Sequence, residues 1–204
     1  MGLEAINSLR LRAAWLSGRT RPLEYRLAQL EALGRFLEEQ KKDILEALAL
    51  DMPEFSEVLL CKNELNESLN NLSRWMKDEQ VDKNLATQLD VAFIRRDPYG
   101  VVLVIAPCNY PIYLLLVPLI GAIAAGNCVI VKPSEITKNS ERLAVEALPR
   151  YLDKVRSSPH GWLLPTPCTH WAHPTSDSSR RCSAAFDLAR SASAMYWGPY
   201  GLGS

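Results

Sequence analysis

Val101-Val102-Leu103-Val104-Ile105-Ala106-Pro107-Cys108-Asn109-Tyr110-Pro111 opens the part of the chain that decides the fold. Gly126-Asn127-Cys128-Val129-Ile130-Val131-Lys132-Pro133-Ser134-Glu135 completes it. Each stretch carries a β-branched run that reads as a strand and then breaks at proline and polar residues. Between them, Pro111 to Ala125 is apolar all round. Pro111 suits a first helical turn, and Gly126 suits the position just past a helix end. This run has about 15 residues, whereas a bilayer span takes about 20. It therefore reads as a helix buried inside an α/β domain. Ser140 to Leu152 is amphipathic at helical spacing. Strand, helix, strand, helix in that order predicts a parallel sheet with right-handed crossovers.

Upstream the rhythm is helical. Ile6, Leu9, Ala13 and Leu16 recur at steps of three and four, and Gly18 ends the run. Leu27, Leu30, Leu33, Leu37, Ile44 and Leu48 predict one long helix from about Leu23 to Leu50, broken by Pro53. Leu65, Leu69, Leu72 and Met76 mark a third helix. Val91 and Phe93, then Val101, Leu103 and Ile105, predict two strands joined by a tight turn at Asp97, Pro98, Tyr99 and Gly100.

In open parallel sheets, ligands bind beyond the carboxyl ends of the strands. Asn109 lies at one such end and offers two amide donors. It is also a good N-cap residue for the helix that follows. Lys132 and Glu135 lie at the end of the next strand, as a binding pair or as a solvated ion pair. Gly100, Gly121 and Gly126 are too widely spaced for a dinucleotide fingerprint, and Gly201 and Gly203 precede no helix.

The chain has 204 residues, 48% hydrophobic and 23% charged, with 23 basic and 23 acidic side chains. Zero net charge argues against a general nucleic-acid binder. Five cysteines without regular spacing, and a charged start at Glu4, Arg10 and Arg12, point to a reducing, cytoplasmic setting. After Lys154 the composition changes. The last 50 residues hold no Lys and no Glu, but all three His and three of the five Trp. His160, Cys168, His170, His173 and Cys182 are zinc-type ligands without the paired spacing of a zinc site. The Ser, Pro and Gly content predicts disorder there, with one short helix over Ala184 to Met195.

Pro98 to Pro111, Gly121-Ala122-Ile123-Ala124-Ala125-Gly126-Asn127-Cys128 and Lys132-Pro133-Ser134-Glu135 together resemble the amino-terminal half of an aldehyde dehydrogenase. Gly18-Arg19-Thr20-Arg21-Pro22 and Trp75-Met76-Lys77-Asp78-Glu79 resemble the class 3 branch, with its B-type members nearest. The resemblance covers residues 1–154. It implies helices over about 1–80 and a partial, Rossmann-like cofactor-binding sheet over about 88–154, with 155–204 as a non-family tail.

That family oxidises aldehydes to acids with NAD or NADP, through a cysteine thiohemiacetal and a glutamate base. The resemblance makes Asn109 the catalytic oxyanion donor. It implies a cofactor cleft lined by Ala106, Pro107, Cys108, Lys132, Ser134 and Glu135. Lys132 and Glu135 would hold the adenosine ribose, and Glu135 would not exclude the extra phosphate of NADP.

Three departures qualify the resemblance. Cys108 stands where the family usually has Trp. The stretch Asp51 to Ser56 is several residues short. The likeness also stops at Lys154. The phosphate-facing Gly loop, the base Glu and the Gly-Gln-Thr-Cys nucleophile do not occur in these residues. The expectation is a catalytically incomplete isoform, with NAD(P) binding weak or absent and no turnover of aldehyde. Two rival roles remain at this stage: a non-enzymatic partner of full-length homologous subunits, and a product without function. The end Gly201-Leu202-Gly203-Ser204 carries no lipidation cysteine, and Ile6 does not fit a myristoylation signal, so no membrane anchor is expected.

Overall fold

A computed structural model describes residues 3–52, 56–80 and 93–153. The tail, its zinc-type residues and its short helix lie outside the described residues. Four helices come first: α1 (Leu3–Leu16), α2 (Leu23–Glu39), α3 (Lys41–Asp51) and α4 (Glu57–Trp75). The short strands β1 (Glu79–Gln80) and β2 (Phe93–Ile94) follow. Then come β3 (Val101–Ile105), α5 (Tyr113–Ala124), β4 (Cys128–Lys132) and α6 (Lys138–Tyr151).

β3 and β4 are parallel, with Val101 opposite Cys128 and Ile105 opposite Lys132. This is the strand–helix–strand–helix unit the sequence predicts. Strand side chains alternate between faces. Val102, Val104, Val129 and Val131 point into the main core, which α5 fills with Leu115, Leu116, Leu119, Ile120 and Ile123. Val101, Leu103, Cys128 and Ile130 point the other way and pack on Leu11, Ala14 and Trp15 of α1. The sheet is thus covered on both faces, as a parallel sheet requires.

The predicted Leu23-to-Leu50 helix is two helices. The backbone leaves the helical region at Gln40 (φ −94°, ψ 9°). α2 packs on α4, α5 and α6, whereas α3 packs chiefly on α6. Ile44 and Leu48 of α3 join the same core as Leu30, Leu33 and Leu37 of α2. The break is fastened from α6: the Gln40 amide donates to the Tyr151 hydroxyl at 3.3 Å, which donates to Glu39 at 2.8 Å.

The predicted hairpin between Phe93 and Val101 does not form. β2 pairs antiparallel with β1, far back in sequence, while β3 takes β4 as its partner. Charge pairing draws β2 to β1. Arg95 grips Asp78 through two bonds of 2.9 and 2.7 Å, and Arg96 meets Glu79 at 2.6 Å. Val91 lies outside the described residues. The buried helix also begins later than predicted: Pro111 and Ile112 form the turn before Tyr113.

Past the last turn of α5, Gly126 takes φ +88°. Its N–H donates to the Ile123 carbonyl, and the next N–H, of Asn127, reaches back to Ala122. That double bond pattern closes the helix, as the sequence implied for Gly126. Among the described residues no helix is long and apolar enough to cross a membrane.

Candidate active-site edge

The β3–β4 ladder runs one residue beyond the strands. The Ala106 N–H donates to the Lys132 carbonyl at 2.9 Å. That single bond sets the two loop starts, Pro107-Cys108-Asn109 and Pro133-Ser134-Glu135, side by side at the carboxyl edge of the sheet. Ala106 is buried beneath them, Pro107 is exposed and Cys108 is half-buried.

Asn109 is exposed, and among the described residues its carboxamide has no hydrogen-bond partner. It is not the cap of α5, so the capping alternative does not hold. The cap comes from another helix: Glu57, fully buried at the start of α4, accepts the Ile112 and Tyr113 N–H groups at 2.9 and 2.8 Å. A carboxylate at a helix N-terminus faces the positive end of the dipole and takes up orphan N–H groups. The chain between Asn109 and that cap is strained. Tyr110 has φ +51°, and among the described residues it is the one non-glycine with positive φ. It also precedes a proline, which disfavours helical backbone at that position. The Tyr110 carbonyl accepts the Leu114 N–H at 2.9 Å, tying the strained turn to α5.

At the neighbouring strand end, Lys132 and Glu135 form an ion pair of 2.9 Å, with 24% and 41% of the side chains exposed. Ser134 is buried, and its hydroxyl accepts the Ile136 N–H at 3.4 Å within its own loop. Ser134 therefore shapes the turn. Glu141, one turn into α6, feels the same cluster. Burial and then the charge of Glu135 raise its pKa, against the pull of Lys132 and Lys138. Two carboxylates thus flank one lysine here.

The described cysteines are Cys61, Cys108 and Cys128. Burial, and then the nearby charge of Glu57, pushes the Cys61 thiol up to about 12. Cys128 is buried in the sheet, and Cys108 is half-buried beside Asn109. Among the described residues no group of three His, Cys, Asp or Glu could hold a metal ion.

The structure therefore brings Asn109, Cys108, Lys132 and Glu135 to one edge. Sequence reasoning missed Glu57, Tyr110 and Glu141. A Glu in a helix's first turn ordinarily reads as serving its own helix, so nothing local marks Glu57 as the cap of α5. Tyr before Pro gives no warning of a left-handed turn.

Comparison with known proteins supplies a context for this edge. A model of the aldehyde dehydrogenase family matches residues 11–152. The chain is 58% identical to aldehyde dehydrogenase family 3 member B1 of Homo sapiens over 151 residues, covering 71% of this chain and 32% of that protein. It is 48% identical to the family 3 member A2 protein of Macaca fascicularis, covering 31% of it. Among solved structures, the substrate-bound state of AldH from Staphylococcus aureus superimposes with a TM-score of 0.74 at 32% identity, covering 77% of this chain and 36% of that one. A glyceraldehyde-3-phosphate dehydrogenase from Methanocaldococcus jannaschii, complexed with NADP, shares the fold at 20% identity and a TM-score of 0.64, covering 78% of this chain and 35% of that one. The chain spans about a third of the length of the curated relatives it matches.

Proposed function

The chain belongs to the aldehyde dehydrogenase family, and on that premise we propose that residues 1–154 are the part of an NAD(P)-dependent aldehyde oxidation site that holds the adenosine and donates a hydrogen bond to the oxyanion. The observation that carries this reading is the Ala106-to-Lys132 bond, which sets the Asn109 turn beside the Lys132–Glu135 pair.

The residues at the second strand end fit the adenosine end of a dinucleotide. A ribose diol offers two hydroxyl protons and lone pairs. The Glu135 carboxylate would accept from the former and the Lys132 ammonium would donate to the latter. NAD(P), when bound, takes up the hydride that an aldehyde carbon gives up. Asn109 presents amide hydrogens to the carbonyl oxygen as it gains charge, a contribution of about 10²–10³ in rate for donors of this kind. Its freedom from capping duty supports that role.

The 204 residues as they stand do not turn over aldehyde. Cys61 and Cys128 are buried. Cys108 stands between Pro107 and Asn109 in the bend beyond β3, not after the family's Gly-Gln-Thr. Cys168 and Cys182 follow Pro167 and Arg181, unlike the family's nucleophile.

Two measurements test this. Saturation-transfer NMR with millimolar NAD should show adenine and ribose protons closer to the protein than nicotinamide protons, and Glu135→Ala should abolish the contact. Aldehyde-dependent NADH or NADPH formation should be absent. Micromolar NAD binding indifferent to Glu135→Ala would sink the adenosine assignment. Turnover lost in both Cys108→Ser and Asn109→Ala would sink the incomplete-site reading.

A further inference from the structure

We propose that Glu57 is the positioning residue of the Asn109 turn: its buried carboxylate clamps the start of α5 and thereby fixes the direction of the Asn109 carboxamide. The inference rests on the reading of Asn109 as the oxyanion donor.

Three observations meet at this point. Glu57 is fully buried, and its Oε2 accepts both the Ile112 and Tyr113 N–H groups. These are the first two N–H groups after Pro111, which has none to give. The clamp therefore takes the first two backbone donors beyond Pro111. Tyr110, between Asn109 and the clamp, is held in the left-handed region at φ +51°. Strained backbone of that kind persists only where surrounding contacts over-determine it. The Leu114 N–H to Tyr110 carbonyl bond is one such contact, and the Glu57 clamp is the other. Asn109 itself has no side-chain bond within the described residues to fix its direction. Its orientation is inherited from the turn, and an oxyanion donor must be aimed beforehand.

Glu57 sits on α4, in the helical region, while Asn109 sits in the loop beyond β3. The helical region is thereby given a part in the chemistry of the site.

The test reads Asn109 directly, in the full chain labelled with ¹⁵N-asparagine, with the Asn109 and Asn127 side-chain amides assigned. Asn127 is the internal control, because its Oδ1 accepts the Gly100 N–H at the opposite end of the strands. In Glu57→Ala, the Asn109 pair should shift and broaden while the Asn127 pair stays in place. Glu57→Gln keeps an acceptor oxygen and should restore much of the wild-type Asn109 signal. In the wild type, hydrogen exchange at Ile112 and Tyr113 should be slowed by roughly tenfold or more over unprotected rates.

An unmoved Asn109 signal in Glu57→Ala, with Asn127 also unmoved, overturns the proposal. So do unprotected Ile112 and Tyr113 amides in the wild type, and that result counts even where Glu57→Ala fails to fold. Neither substrate nor cofactor enters the measurement. A negative result therefore strikes Glu57 alone, and a failure of adenosine binding leaves it standing.

Discussion

Gly126 is the residue at which two demands coincide. Its φ of +88° is a conformation that L side chains rarely adopt. A Cβ placed there would meet the Arg26 guanidinium carbon at 2.7 Å. Arg26 is buried, and its Nη1 donates to the Ala124 carbonyl at 2.9 Å, while the Thr20 hydroxyl donates to the Gly126 carbonyl at 2.7 Å. Gly126→Ala should therefore cost about 1–2 kcal/mol for the left-handed backbone alone, and more as Arg26 is pushed off Ala124. Thermal unfolding of the variant should show a clearly lowered Tm, and an unchanged Tm would refute the account. The glycine was legible in the sequence because a helix end is a local event. The part Arg26 plays was not, because the Ala124 carbonyl that holds it lies 98 residues away. Thiol chemistry gives a second check at this scale. With the Cys61 thiol pushed up to about 12, only about 10⁻⁴ of it is thiolate at pH 8. Iodoacetamide at that pH should label Cys108 and leave Cys61 and Cys128 untouched, read by peptide mass mapping. Labelling of Cys61 before Cys108 would contradict the burial described here.

At the scale of elements, the apolar helix α5 is gripped at both ends by charges from the helical region. Glu57 of α4 meets its N-terminus and Arg26 of α2 its C-terminus. Each charge opposes the local sign of the helix dipole, a favourable placement worth up to about 2 kcal/mol when partly buried. α6 is held in the same way. Asp51, the last residue of α3, accepts the Ser140 N–H at 2.7 Å, the Asn139 side-chain amide at 2.8 Å and the Asn139 N–H at 3.2 Å. Burial alone would raise the Asp51 pKa, but the bonds from Ser140 and Asn139 outweigh it and lower the value below 3.8. A carboxylate depressed in the folded state stabilises above its unfolded pKa, and that contribution is lost as pH falls through the folded value. The Tm difference between wild type and Asp51→Asn should thus be constant from neutral pH to about pH 5 and shrink on further acidification. A difference independent of pH down to pH 3 would show that Asp51 is not the titrating cap. Helical periodicity revealed α1, α4, α6 and the joined run of α2 and α3, because an apolar stripe is written in adjacent turns, while α5 showed as a run apolar all round. It could not reveal the Gln40 break or these caps, since both are set by the elements they pack against.

For the molecule as a whole, the β3–α5–β4–α6 unit and the edge that carries Asn109, Lys132 and Glu135 were legible because strand order and strand ends are encoded locally. The pairing of β2 with β1 was not, because Arg95–Asp78 and Arg96–Glu79 join segments that no periodicity connects. The parallel sheet that results has two strands among the described residues. Its faces are covered by α5 and α1, but among the described residues no further strand pairs with the outer edge of either strand. Alternation from the Ala106-to-Lys132 bond turns the N–H groups of Leu103 and Ile105 away from β4, and those of Val129 and Val131 away from β3. Ile105 is also 46% exposed at the end of its strand. Unpaired edges with apolar side chains recruit further strands, and a two-stranded sheet gains most from doing so. The 204-residue chain, purified alone, should therefore associate as its concentration rises through the micromolar range, read by sedimentation velocity. Ile105→Glu places a carboxylate on that edge, opposite Lys132 in the register, where a cross-strand charge pair is worth about 0.2–1 kcal/mol. The variant should shift association to higher concentration while leaving the monomer's Tm nearly unchanged. A wild-type chain that stays monomeric throughout, with a sharp and reversible thermal transition, would show that these edges are already protected and would refute the prediction.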